Sequence, residues 1–273
     1  MAQRWSLGED FIIAKFCQEQ QYLDICDNLL DELIDRLRQK GFSSRSKSAI
    51  SKRARDFTYL FRGWEPEYVA KQVKQIYGLL SNEGYNNHLK ELKERITERQ
   101  QASIEGTSGN LDFLNSPADQ NIHMIHRIQG RKFVDVLEDY IANSGIKPRS
   151  RMYRDVGMSE DTFSAIRRGK YKAVSRENLF RICFGLRLKY DDAVILMKSC
   201  GCALQDSNVL DCVVEYFLRK GPTVDCVYKD KGKEKICYIY DTFQIDADLI
   251  ESGASELFWG FRKGDDKDDE DEQ

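Results

Sequence analysis

The chain has 273 residues, of which 41% are hydrophobic and 32% charged, and its formal net charge is −3. That length sets two domains as the starting expectation, at about 100–200 residues each. It holds no run of eighteen apolar residues, which excludes a helical membrane span, and its opening MAQRWSLGED lacks the apolar segment of an export signal, so a reducing cytoplasm is the expected setting.

The first helix is expected after Ser6, which can cap it while Glu9 reaches back three residues later. Phe11, Ile12, Phe16 and Cys17 supply its apolar side. A second helix is expected from about Leu23 to Gln39, stopped by Gly41, with Cys26, Leu30, Leu33, Ile34 and Leu37 on one face. A short turn at Ser43–Ser46 leads into the stretch Ser44–Arg62. There Ile50, Ala54, Phe57 and Phe61 recur at helical spacing. Ser48, Lys52, Arg55, Tyr59 and Arg62 fall on the opposite side.

Charge concentrates in this region. Between Arg36 and Arg62 nine basic residues face a single acid, Asp56. Lys and Arg meet phosphates, while Ser, Arg and Tyr reach base edges. Nucleic-acid contact is therefore expected at Arg45, Lys47, Ser48, Lys52, Arg55, Tyr59 and Arg62. A solvated or membrane-surface helix is the plainer reading of the same pattern.

Trp5-Ser6, then Glu9-Asp10, then the basic run Arg45-Ser46-Lys47-Ser48-Ala49-Ile50 together resemble the Myb/SANT-like helical domain. The resemblance covers about residues 4–62. It implies a tri-helical unit whose third helix enters the major groove, with Lys47, Ser48, Lys52 and Arg55 facing it. Two departures stand out: the stretch before the third helix is long, and Phe57 stands where that family carries a tryptophan.

Pro66 marks the start of a further helix with the stripe Tyr68, Val69, Val73, Ile76, Tyr77 and Leu80. A charged helix is expected from about Asn86 to Gln101. Its thin stripe of Leu89, Leu92 and Ile96 either packs on a neighbour or joins two copies as a homodimer. Residues 102–121 read as a linker. His123 and His126 have no ligand partner at useful spacing, so they read as surface or packing residues.

Beyond Arg131, helical faces are expected at Phe133–Ile141, at Met152–Val156, after a Ser159 cap, after Ser175, and after an Asp191 cap. The runs Met152–Ser159 (MYRDVGMS), Thr162–Gly169 (TFSAIRRG) and Ser175–Leu179 (SRENL) resemble the lambda-repressor-like, or Cro/C1, helix-turn-helix fold over about residues 131–202. That resemblance implies a recognition helix near 160–168, with DNA contacts at Arg149, Arg151, Ser164, Arg167, Arg168 and Lys170. Glu160 and Asp161 oppose such a contact, because they stand in the helix's first turn where a polyanion would approach.

From Gln205 a helix ending at Gly221 is expected, then strands Val224–Tyr228 and Ile236–Tyr240 around a Lys/Asp/Gly turn. Leu249, Leu257, Phe258 and Trp259 would close this part, and the last ten residues are strongly acidic. The fold class expected is mainly α: two helix-turn-helix type helical domains joined by a flexible linker, with a small C-terminal β-hairpin. The divisions are 1–63, 64–101, 102–125, 126–204, 205–263 and 264–273.

No catalytic set is legible: no phosphate loop follows a strand, and no His lies beside a nucleophile. Cys200-Gly-Cys202 has no second pair or nearby His, so neither metal nor cofactor is expected. The reading is a non-enzymatic DNA-binding regulator, bacterial or phage, with DNA as partner. The alternative is an adaptor or inhibitor that grips a protein partner with the same helical modules.

Overall fold

The structure, a computed structural model, describes residues 5–21, 26–42, 45–64, 68–104, 131–171 and 173–258 apart from 231–232. Residues 102–104, expected to open the linker, are helical instead; the rest of the expected linker, both linker histidines, Trp259 and the acidic tail lie outside the described residues. The described residues hold twelve helices and one two-stranded sheet, so the fold is mainly α. Two compact units are present, residues 1–91 and 92–273.

In the first unit, α1 (Leu7–Glu19), α2 (Asp27–Gln39), α3 (Lys47–Phe61) and α4 (Lys71–Leu80) pack around Phe11, Phe16, Leu33, Leu37, Phe57 and Ile76, all at most 2% exposed. The cap at α1 is as expected: Ser6 Oγ accepts from the Glu9 N–H at 3.1 Å, and the Glu9 carboxylate accepts from the Ser6 N–H at 2.8 Å. Satisfying two helix-end donors in this way holds the first turn in place. On α3, Leu60 is buried while Phe61 is half-buried and meets the Tyr77 ring edge-on. The fourth helix differs from expectation: it begins at Lys71, and Tyr68 is 92% exposed instead of packed. It lies against both α1 and α3, so the unit is four-helical.

α5 (Glu83–Ile104) runs past the division between the units. Leu92 and Ile96 belong to the core of the second unit, which covers that part of the stripe. The second unit continues with α6 (Phe133–Asn143), α7 (Arg151–Arg154), α8 (Glu160–Arg167), α9 (Arg176–Gly185), α10 (Tyr190–Ser199) and α11 (Val209–Lys220). Strands β1 (Thr223–Asp230) and β2 (Lys233–Ile239) pair antiparallel, with Thr223 opposite Ile239 and a bulge between Val224 and Cys226. α12 (Thr242–Glu251) follows, a helix the periodicity did not predict, capped by the Asp241 carboxylate on the Phe243 and Gln244 N–H groups. The cap of α10 is Lys189, and Asp191 stands in the first turn instead.

Helix crossings in the second unit depend on one close approach. A Cβ at Gly185 of α9 would stand 1.9 Å from the Met152 carbonyl oxygen of α7. The segment Leu257–Phe258 is clamped from two sides: Arg181 donates to the Leu257 carbonyl at 2.6 and 2.8 Å, and buried Asp246 accepts the Leu257 and Phe258 N–H groups. Leu257 and Phe258 are thereby fixed over the core, as expected of them.

Candidate nucleic-acid interface

The charges of the first unit divide into two sets. One set is turned inward. Arg53 places its guanidinium on both oxygens of Asp10, at 2.7 and 2.5 Å, and Gln72 adds a hydrogen bond at 2.7 Å. Arg45 makes the same two-point contact with Glu9, at 2.8 and 2.9 Å. Trp5 lies beneath both, 4.4 Å from Arg45 and 5.4 Å from Arg53. Burial raises the Glu9 carboxyl, but the hydrogen bonds and charge of Arg45 and the Ser6 donors outweigh it and leave Glu9 below the ordinary carboxylate range. Burial pushes the Asp10 carboxyl up, against the pull of Arg53. Arg45 was expected at a phosphate; its side chain is only 8% exposed and its donors are directed at Glu9.

The other set faces solvent on α3. Ser46 caps the helix by accepting from the Ala49 N–H. Ser48, Lys52, Arg55 and Arg62 are exposed, and Tyr59 is half-buried against Trp64. Lys47 is partly held: its ammonium lies 2.6 Å from Asp31, a hydrogen bond that raises its pKa, and 3.7 Å from Asp27. Asp56, the one acid of this stretch, is half-buried; burial raises its pKa, against Arg53, Lys52 and Arg55. The exposed face of α3 is thus basic because its acids lie elsewhere and its inward arginines are matched.

In the second unit α7 and α8 form a helix-turn-helix. Gly157, at φ +65°, makes the turn. Ser159 then caps α8 on the Thr162 N–H at 3.1 Å. The Tyr153 hydroxyl donates to Glu160 at 3.1 Å, tying one acid of the first turn back to α7. Of the expected contacts, Arg149, Arg151, Arg168 and Lys170 are exposed. Arg168 donates to the Ser164 hydroxyl at 2.6 Å, which occupies that half-buried serine. Arg167 is turned back to α6, where it grips Glu138 at 2.6 and 2.9 Å. That contact, more than burial opposes it, holds the Glu138 carboxyl below its usual range.

The sequence reading placed Trp64 only at the start of the next helix and missed its packing on Tyr59. The signal was present: Gly63 stops α3, and the residue after such a glycine packs on the helix three positions before its end, here Tyr59. A cavity of about 310 Å³ in the second unit is lined by Arg95, Arg99, Glu215, Tyr216 and Arg219. Its arginines are answered in place: Glu215 takes both Arg99 and Arg219, and Arg99 also meets Asp206 at 3.0 Å. Burial pushes the Cys17 and Cys212 thiols up to about 12 and about 11, so both stay protonated packing groups. Among the described residues no group of three or more His, Cys, Asp or Glu is placed to hold a metal ion, and no helix is long and apolar enough to cross a membrane.

A family model described as a Cro/C1-type HTH DNA-binding domain matches residues 137–199, which span α6 to α10. No curated protein and no solved structure matches the chain. The match coincides with the helix-turn-helix seen in the second unit, so that unit is similar to a DNA-binding domain of this type.

Proposed function

We propose that this chain is a DNA-binding regulator, bacterial or phage and cytoplasmic, that touches DNA with two helical units. The observation that carries the DNA reading is the Cro/C1-type match lying on a capped helix-turn-helix with Arg149, Arg151, Arg168 and Lys170 exposed around it. In the first unit α3 is the groove helix, and Ser48, Lys52, Arg55, Tyr59 and Arg62 are the contacts. Support for this comes from an exposed face whose cations lie at helical spacing, while Arg45 and Arg53 neutralise Glu9 and Asp10 inside. In this reading α1 to α3 are the tri-helical unit that the Myb/SANT-like resemblance implies, with α4 added. Affinity arises mainly from phosphate contacts, and base contacts supply sequence preference.

Replacing Lys52 and Arg55 together by Glu weakens the shifted band in a gel mobility assay with pooled genomic fragments, while the thermal melt of the protein is unchanged. An unchanged band removes α3 from the interface. A second reading, in which α8 grips a protein, is favoured by Glu160 and Asp161, both exposed in its first turn. It prevails for that unit where Arg151→Glu with Arg168→Glu leaves DNA binding intact.

A further inference from the structure

α3 ends in a cap that also presents a ring. The Gly63 N–H donates to the Leu60 carbonyl and the Trp64 N–H to the Tyr59 carbonyl, both at 2.9 Å, with Gly63 at φ +80°. These are the paired hydrogen bonds of a Schellman cap, in which the residue after the glycine packs on the helix three positions before its end. Here the packed pair is aromatic, with ring centroids 5.6 Å apart and planes tilted by 44°. Any apolar side chain satisfies such a cap, and burial is its usual reward. Trp64 instead leaves 64% of its surface in solvent.

The helix face that carries Tyr59, the ring's partner, is cationic. Lys52, Arg55, Tyr59 and Arg62 follow one another at spacings of three, four and three, so they share one face over roughly 15 Å of helix. Within a duplex the faces of the bases are covered by their neighbours, and groove contacts use only edges. An exposed indole has nothing to stack on there. An unpaired base does offer its face, and stacking on aromatic rings beside cations is how unpaired strands are held. The cap fixes the backbone at both ends of the pair, so the ring is placed before any ligand arrives and little ordering is needed on binding.

We infer that Tyr59 and Trp64 form a stacking platform for an unpaired base lying next to the duplex that Lys52 and Arg55 hold. The preferred DNA is therefore one locally opened. This rests on the reading of α3 as a nucleic-acid contact.

The test uses the full chain and a fluorescein-labelled mixed-sequence duplex, alone and with a central mismatched bubble, read by anisotropy at one low salt concentration. The wild type binds the bubbled duplex about tenfold more tightly than the closed one, the size expected of one stacked base. Trp64→Ala removes that preference and leaves affinity for the closed duplex unchanged. Trp64→Phe, which keeps a ring at the cap, retains most of it. Equal wild-type affinity for the two DNAs, or an equal loss on both with Trp64→Ala, overturns the platform. The variant with Lys52→Glu and Arg55→Glu weakens both complexes; if it weakens neither, the reading of α3 fails on its own, whatever Trp64 does.

Discussion

Arg45 and Arg53 carry the same charge as Lys52 and Arg55 and stand on or beside the same helix, yet only the second pair meets solvent. The difference is set by α1: Glu9 and Asp10 in its first turn draw the two arginines in, and Gln72 of α4 completes the buried set on Asp10. A buried carboxylate left without its guanidinium is costly, by about 3–5 kcal/mol, so these residues act on the fold and only through it on any ligand. Glu138 and Arg167 do the same in the second unit with a more exposed pair. Glu138 titrates below its ordinary value in the folded state because Arg167 is bonded to it. Its contribution is therefore present above about pH 4.5, the ordinary glutamate value, and is lost as pH falls through the lower folded value. Because both side chains are partly in water, the effect is at most about 1 kcal/mol. Glu138→Gln accordingly lowers stability to urea near neutral pH and narrows the gap between neutral and acidic pH. An unchanged gap contradicts the assignment.

The helices were legible in proportion to their caps and stripes. Ser6, Ser159 and Ser175 mark three starts because a hydroxyl there accepts the N–H three residues on, and each does so. α12 was hidden: its buried Thr242, Asp246 and Asp248 break the apolar stripe that periodicity detects. Asp246 is inside because it accepts the Leu257 and Phe258 N–H groups, a contact no local pattern announces. Gly185 shows the same limit. In sequence it is a helix-weakening residue, and only the crossing of α7 over α9 explains it. Gly185→Ala forces a methyl against the Met152 carbonyl and destabilises the second unit by about 3 kcal/mol, seen as a lower urea midpoint. A midpoint equal to wild type means that the two helices separate freely, contrary to this packing. The candidate interface was half legible for a related reason. Spacing places Ser48, Lys52, Arg55, Tyr59 and Arg62 on one face of α3, and they lie there. Spacing cannot say that Arg45 and Arg167 have carboxylates waiting for them on other helices.

At the scale of the whole chain, the net charge of −3 conceals where the positive charge stands. Exposed cations cluster on α3 in one unit and around the helix-turn-helix in the other, and the sequence closes on an acidic tail. The proposed use of both faces on DNA requires that binding be dominated by phosphate neutralisation and thus by salt. The most direct measurement is the affinity of the full chain for duplex DNA across a salt series. The account predicts a linear fall of log affinity with log salt, and a slope about 2 units shallower once Lys52 and Arg55 are both Glu, as expected for two lost phosphate contacts. A flat line for the wild type, or the same slope for both proteins, would contradict it.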